Sequence, residues 1–359
     1  MNAGGSSVRL GVHSIVDREE YQLGKYDADL LPAEIYSLLL SFVSELGLTR
    51  VYGVCHRVVH AGPHYSQCQF IDHDLEQAIS DHMALAPLHN KQVLDWIVAT
   101  RKAFGVKVPQ LAVFDSGFFA DLPDRAACYA LPNSIGIRKL GFHGLAHQAM
   151  LRYAEEQDVQ SFPTTRALSL HLGSGCSITA SLGGKALDTS MGFTPLEGLM
   201  MNTRSGDIDP GIILHLFRQN QLTVEDLDNL LNRRSGLLGV SGSSADIGEL
   251  LTHSDAQSEL AVDMFCYRIR KYIGAYAVML GGLDRILIGG GIGEYLPAVR
   301  ARILSDLELL GVGMDMRKNN DRVGTGGRIS ADESQVKIDV VQVDENTLMA
   351  EQAIGVLQS

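Results

Sequence analysis

Two short stretches far apart in the chain repeat one pattern. Gly5-Ser6-Ser7-Val8-Arg9-Leu10 and Gly175-Cys176-Ser177-Ile178-Thr179-Ala180 are each a glycine turn, a small polar pair and then a strand. Glycine lets a ligand approach the backbone closely, and successive N–H groups in such a turn form a nest for an anion. An ordinary hairpin is the commoner meaning of any one such turn. The match gains weight because each copy opens a hairpin in its own half of the chain. Two related domains, each with a phosphate-facing hairpin, would clamp a nucleotide between them. At 359 residues the chain also exceeds one ordinary core, so two domains are expected.

The coarse pattern is α/β. Strand-like runs cover 8–16, 51–59, 110–114, 166–172, 178–182, 185–188, 285–288 and 336–343. Helical spacing covers 30–48, 74–85, 91–104, 146–157, much of 211–280 and 346–357, with a turn expected at Ala86-Pro87-Leu88-His89-Asn90. Gly289 to Glu294 reads as a glycine loop before a further helix. Hairpins mixed with helical crossovers imply mixed sheets. The net charge of −12 argues against nucleic acid or an anionic membrane as the main partner. No secretory signal is visible near the start, and five scattered cysteines without a CxxC suggest neither a disulfide framework nor a zinc site. A reduced, cytoplasmic protein is the expectation.

Several familiar motifs are missing. No GxxxxGK[ST] loop and no HExxH occur, and the glycines at 289–293 fail the GxGxxG spacing. What stands out instead is Cys55-His56-Arg57-Val58-Val59-His60-Ala61-Gly62, an arginine and two histidines inside an apolar run. A buried arginine must be ion-paired or bind an anion. Asp115 ends the strand Val113-Phe114, where α/β proteins place functional groups, and could orient such an arginine. His143 lies between Gly141-Phe142 and Gly144. The run from Asp188 to Pro210 is rich in turn formers and carries a lone Arg204 before Ser205-Gly206. Packing alone does not account for such a loop. Arg57 and Arg204 would supply two guanidinium forks for carboxylate or phosphoryl oxygens.

With these residues in view, the chain resembles the acetate kinase family, within the superfamily of sugar kinases, actin and heat-shock chaperones. The resemblance runs over nearly the whole chain. It rests on His56-Arg57-Val58-Val59-His60, Ala86-Pro87-Leu88-His89-Asn90, Val113-Phe114-Asp115, Gly141-Phe142-His143-Gly144, His171-Leu172-Gly173, the run 188–210, Ser235-Gly236-Leu237-Leu238-Gly239 and Gly290-Gly291-Ile292-Gly293-Glu294. It implies a two-domain actin-like fold, ribonuclease H-like and duplicated, with mixed sheets and a central nucleotide cleft. Residues 1–116 with 343–359 would form an acid-binding and phosphate domain, and 117–342 a nucleotide-binding domain. The implied activity is reversible phosphoryl transfer from ATP to acetate or propionate, with Mg2+ or Mn2+, by a homodimer.

The resemblance also implies roles. Arg57 and Arg204 would hold the substrate carboxylate and the phosphoryl group, with Asp115 orienting an arginine and His143 donating to the phosphoryl. Val59, Leu88, Phe142 and Pro195 would form the pocket for the acid's alkyl end. Asn2 and Glu345 would position the metal. Ser7, Arg9, His171, Gly173, Ser174, Gly175, Asp246, Gly291, Ile292, Gly293 and Glu294 would contact the nucleotide.

The chain departs from the family pattern at several positions. Gly5 and Arg9 stand where Ser and Lys are usual, and Ser174 and Cys176 where Asn and Ala or Gly are usual. Tyr295, Gly248 and Val343-Asp344-Glu345-Asn346 also differ, and the region between 16 and 50 is short. These changes motivate an alternative: a catalytically impaired member kept for binding nucleotide or a partner. The opening turn also lacks the family's leading strand. The expectation is therefore an upstream start, with Asn2 frayed in the present form.

Overall fold

Strand β1 (Asn2–Ala3) lies antiparallel to β2 (Ser7–His13), with Asn2 opposite Arg9 and Ala3 opposite Val8. The computed structural model describes the chain apart from residues 4–6, 17–19, 28–29, 63, 84–86 and 221. The tip of the first glycine turn, Gly5-Ser6, therefore lies outside the described residues. The strand expected to be missing is present in short form, and the residue before it is tied to a neighbouring strand. The Met1 ammonium donates to Cys55 O at 2.7 Å, and Arg57 N donates to Met1 O at 3.0 Å. Asn2 is 4% exposed, so the expectation that it frays is overturned: main-chain bonds on two flanks hold it.

Contacts divide the chain into two units, Met1–Ala120 with Asp344–Ser359, and Asp121–Val343. In the first unit β2 continues into β3 (Glu20–Asp27), and α1 (Pro32–Glu45) follows. Pro32 suits the first helical turn, and Glu34 reaches back to accept from Leu31 N at 2.7 Å. Ile35, Leu39 and Phe42 recur on one face of α1 and pack with Val8 and Leu10. β4 (Val54–Val58), β5 (Gln69–Phe70), α2 (His73–Asp81), α3 (Pro87–Phe104) and β6 (Gln110–Phe114) complete this part, in sheet order β4-β6-β5.

The turn expected at 86–90 is corrected from Pro87 onward. Proline stands as the first helical residue of α3, where its missing N–H costs nothing. Asn90 sits within the helix, and its buried amide donates to His60 O at 2.9 Å and Ile79 O at 3.1 Å. That motif therefore braces the end of β4 against α2.

The second unit holds α4 (Asp124–Ala127), α5 (Gly144–Gln157), β7 (Arg166–Leu172), β8 (Cys176–Leu182) and β9 (Lys185–Thr189). A helical stretch follows: α6 (Pro210–Asn220), α7 (Val224–Arg233), α8 (Gly236–Ser241), α9 (Ile247–Leu250) and α10 (Ala256–Met279). Then come β10 (Arg285–Gly289), α11 (Gly290–Tyr295), α12 (Pro297–Leu304), α13 (Met316–Asp321), β11 (Gly327–Arg328) and β12 (Lys337–Val340). The chain returns to the first unit as α14 (Glu345–Gln358).

The six-stranded sheet runs β11-β12-β10-β7-β8-β9. Its centre, β12-β10-β7, is parallel, and β7-β8-β9 is an antiparallel meander. β10 is buried at all five positions, as a central strand covered on both faces must be. The mixed sheets and alternating elements agree with the expected fold class. One local expectation fails: Gly290 to Tyr295 is a short helix rather than a loop. Gly290 opens it at φ +79°, where a Cβ would lie 2.6 Å from Leu172 O.

The fully buried Arg300, unmarked in the sequence, supports α11 from behind. It donates to Gly293 O at 2.7 Å, Asn319 O at 2.7 Å and Arg322 O at 2.6 Å. No helix among the described residues is long and apolar enough to cross a membrane.

Candidate functional site

In the first unit a chain of four buried polar side chains converges beside β1. Arg57 Nη2 donates to Asp115 Oδ2 at 2.7 Å and Arg57 Nη1 to Asn2 Oδ1 at 3.1 Å. Asn2 Nδ2 donates to Glu345 Oε2 at 2.6 Å. β4 and β6 are parallel neighbours with Arg57 opposite Val113, so Asp115, just past the end of β6, is within reach of the guanidinium. Burial alone would lower the Arg57 pKa. The adjacent Asp115 charge, and then that of Glu345, outweigh burial and push it up. Arg57 Nε has no hydrogen-bond partner among the described residues. A buried guanidinium with a spare N–H is suited to an anionic ligand.

The Asn2 amide has one workable orientation here, because Arg57 can only donate and the Glu345 carboxylate only accepts. Asn2 is thus a bridge between the two, and its side-chain oxygen already faces a cation. Of the pair expected at magnesium, Glu345 is the one that brings an anionic oxygen. A single carboxylate fits, since Mg2+ commonly takes one or two carboxylates and completes its shell with water and substrate phosphates.

The neighbouring histidines are structural. His56 Nε2 pairs with Gln110 Oε1 at 2.7 Å, and burial pushes its pKa down to about 3. His60 Nε2 accepts from Gly62 N at 3.2 Å, and burial with the nearby His82 lowers it to about 4. Both are neutral near pH 7. Val59 is buried just beyond β4. Leu88 lies in the first turn of α3, and its side chain is outside the described residues. Ser7 starts β2, and Arg9 points to solvent from the same strand.

In the second unit the second glycine turn joins β7 to β8 and faces an imidazole and a guanidinium. A Cβ built on Gly175 would lie 3.3 Å from His143 Nε2 and 3.5 Å from Arg204 Nη1. The bare Cα therefore lets the tips of an imidazole and a guanidinium come together over the turn. His143 precedes α5 with φ 59°, one of two non-glycine residues with positive φ among those described. Holding a histidine in this region costs about 1 kcal/mol, which surrounding contacts must offset. Its Nδ1 lies 2.9 Å from Ser177 Oγ, and its ring centroid is 4.6 Å from that of His171. Phe142, beside it, is buried.

Arg204 Nη1 donates to Pro195 O at 3.3 Å, and no carboxylate among the described residues makes an ion pair with it. Burial lowers its pKa. A largely desolvated arginine without a counter-charge is the arrangement expected where a ligand supplies the anion.

The loop carrying Arg204 has little regular structure, yet it is fastened at both ends. Asp207 Oδ1 accepts from Gly198 N at 2.7 Å, and Asp207 N donates to Gly198 O at 2.9 Å. Tyr272 OH, from α10, donates to Asp207 Oδ2 at 2.6 Å. Gly236, at φ +62°, lies so close that a Cβ would sit 2.7 Å from Arg204 O and 2.1 Å from Met201 O. This explains the Ser235-Gly236 motif: it is the seat for the Arg204 backbone.

The remaining expected nucleotide contacts are also located. His171 is the penultimate residue of β7, and Gly173 N donates to Gly175 O at 3.1 Å across the turn, with Ser174 exposed. Cys176, one of the departures, is a packed thiol pushed up to about 12 by burial, so it is neutral. Asp246 caps α9 by accepting from Gly248 N and Glu249 N. Gly291, Ile292, Gly293 and Glu294 all lie in α11, and Glu294 Oε1 accepts from Gly290 N at 3.0 Å. Glu294 thus closes the first turn of α11, and Gly291 is the exposed position on it.

Gly175→Ala is a selective probe. Its backbone conformation suits alanine, and the methyl meets only the tips of His143 and Arg204. The variant should keep its urea midpoint while losing about tenfold or more in kcat, because a misplaced reacting group is costly. A normal kcat would mean that the space over Gly175 is not used.

Each of the two polar groupings is built around an arginine, Arg57 buried and Arg204 half-buried, a residue type suited to an anionic ligand. Comparison with known proteins specifies the class further. The model of the acetokinase family matches residues 2–351. The acetate kinase of Solibacter usitatus is 42% identical over 324 residues, covering 88% of this chain and 78% of that protein. That of Shewanella baltica is 40% identical over 350 residues, covering 95% and 87%. Among solved structures, Porphyromonas gingivalis acetate kinase superposes with a TM-score of 0.88 at 32% identity, covering 99% of this chain and 98% of that one. A propionate kinase from Francisella tularensis gives 0.87 at 31%, covering 98% and 97%. The chain belongs to the acetokinase family, phosphotransferases that use ATP and a carboxyl group as acceptor. The comparisons give no support to the impaired-member alternative.

Proposed function

We propose that this protein transfers the terminal phosphoryl group of Mg-ATP to acetate, and less readily to propionate, giving acyl phosphate and ADP reversibly. The observation that carries the reading is the desolvated Arg204 without a counter-charge, sharing the space over Gly175 with His143 Nε2. A carboxylate is already a nucleophile, so no strong base is required. Its oxygen forms a bond to the γ-phosphorus as the bond to the bridging oxygen of ADP breaks, and no proton need be removed. Positioning and charge neutralisation supply the rate enhancement.

In this reading Arg57, held by Asp115, engages the anionic acid through its spare Nε. Arg204 and His143 steady the phosphoryl group. Glu345, oriented by Asn2, would hold Mg2+, which when bound offsets phosphate charge. Ser7, Arg9, His171, the turn 173–175, Asp246 and residues 291–294 serve the nucleotide, and Val59, Leu88, Phe142 and Pro195 the alkyl end. The free cysteines and net negative charge support a reduced, cytoplasmic setting with small molecules as ligands, and the family resemblance a homodimer.

A hydroxamate assay of acyl phosphate formation, run over a panel of acids and phosphoryl donors, tests the reading. Acetate with Mg-ATP should give the highest kcat/KM. Absence of hydroxamate with every short acid would refute it.

Val59→Ala should shift the preference toward propionate or butyrate by up to about 10-fold, since a methylene is worth about 1–3 kcal/mol of discrimination. An unchanged acetate-to-propionate ratio would remove Val59 from the acid pocket.

A further inference from the structure

Behind His143 runs a line of buried polar groups to which nothing above gives a role. His143 Nδ1 lies 2.9 Å from Ser177 Oγ. The same Ser177 Oγ lies 2.7 Å from His147 Nε2, and His147 Nδ1 lies 2.7 Å from Ser169 Oγ. His147 is one turn along α5 from His143, while Ser177 and Ser169 are on the paired strands β8 and β7. His147, Ser177 and Ser169 are each 0% exposed. Burial, and then the nearby His171, hold His147 far below the usual imidazole range, so it is neutral and carries one ring proton.

Proton counting then couples the two histidines. Each of the three contacts needs one hydrogen between its heavy atoms. If His147 carries its proton on Nε2, it donates to Ser177, whose hydroxyl donates onward to an unprotonated His143 Nδ1. Ser169 then donates to His147 Nδ1. If His147 carries its proton on Nδ1, every bond reverses and His143 must bear a proton on Nδ1. A neutral His143 in that second arrangement would present a bare Nε2 to the space over Gly175.

We propose that Ser177 and His147 are positioning residues that hold His143 neutral with its proton on Nε2, aimed as a donor into the space it shares with Arg204. Two features favour this polarity. The uncompensated charge of Arg204 beside that space disfavours a second cation on His143. An anion held by Arg204 calls for a donor at Nε2 rather than a lone pair. The assignment of His143 to the phosphoryl group rests on the function proposed above, whereas the tautomer rests only on an anion, of whatever kind, being held by Arg204.

The test is 15N NMR of histidine-labelled protein without substrate, with His143 signals identified by their loss in His143→Gln. The expected pattern at neutral pH is a pyridine-type Nδ1 and a pyrrole-type Nε2. In Ser177→Ala, which removes one oxygen and no packing, that pattern should collapse toward a mixture of tautomers, with kcat lower by about tenfold or more and KM for the acid little changed. Ser177→Thr keeps the hydroxyl and should restore the wild-type 15N pattern. Ser169→Ala, at the far end of the line, should weaken the preference less.

An unchanged His143 pattern in folded Ser177→Ala would overturn the proposal, as would a pyrrole-type Nδ1 in the wild type. The NMR result stands whichever acid is the substrate. A normal tautomer shift without any acyl phosphate activity would reject the functional reading alone.

Discussion

Arg204→Ala should reduce turnover by roughly 30- to 1,000-fold, equivalent to about 2–4 kcal/mol of transition-state stabilisation, and should leave the folded state as stable as before or more so. The reason is that no carboxylate among the described residues pairs with it: the guanidinium is largely desolvated and unbalanced, so its removal relieves a cost. Arg57→Ala should lose turnover to a similar degree but also destabilise the first unit by about 3–5 kcal/mol, because Asp115, 1% exposed, is left without its counter-charge. Adding Asp115→Asn to Arg57→Ala should recover much of that stability and none of the turnover. Steady-state kinetics and urea titration on the same preparations separate the two arginines. Near-normal turnover in either alanine variant would make that residue a structural one.

Acid should weaken the first unit well before its carboxylates titrate. In the unfolded chain His56 and His60 take protons near pH 6.5, while in the folded chain burial keeps them neutral to about 3 and about 4. Between these limits the unfolded state binds more protons. Stability is therefore fully present above about pH 6.5 and declines as the pH falls toward 4. At about 1.4 kcal/mol per pH unit for each histidine, the loss by pH 5 is about 4 kcal/mol. Trp96, the chain's one tryptophan, is buried in the first unit and reports its unfolding. Urea midpoints followed by its fluorescence at pH 7 and pH 5 measure the effect, and His56→Gln should halve the difference. Equal stability at the two pH values would show that these histidines are protonated in the folded chain.

Much of this was legible in the sequence because it rests on strong local patterns. The alternating run at 166–172 matches β7, and Gln110–Phe114, apolar from Leu111 onward, with its terminal Asp115 matches β6 and the Arg57 partner. The second glycine turn was visible as a turn, though what it faces was not. Proline misled at 87, since the same residue that breaks a helix interior also begins one, and only the packing of Asn90 decides between them. Ser169 and His147 left no signal and Ser177 showed only as half of a small polar pair, since all three are small or polar residues in ordinary strand and helix patterns whose pairing spans more than 20 residues. Arg300 was silent for the same reason: apart from Asn319 Oδ1 its acceptors are main-chain carbonyls, which no side-chain motif records. Asn2 was misjudged because fraying is the default for a terminus, and main-chain bonds from Met1 to β4 cannot be read from composition.

The fastening of the Arg204 loop has a consequence for how the protein matures. Gly236 seats the backbone of Arg204 from 32 positions downstream, and Tyr272 ties Asp207 from 65 positions downstream. Such closures reward the chain only after long segments have been brought together, so they form late. During refolding, the β7-β8-β9 meander, whose pairings are local, should gain hydrogen-exchange protection before the amides of 198–207 do. Catalytic activity would then return only once α8 and α10 have docked, and a chain stalled before that point would carry the β7-β8-β9 meander and no working arginine.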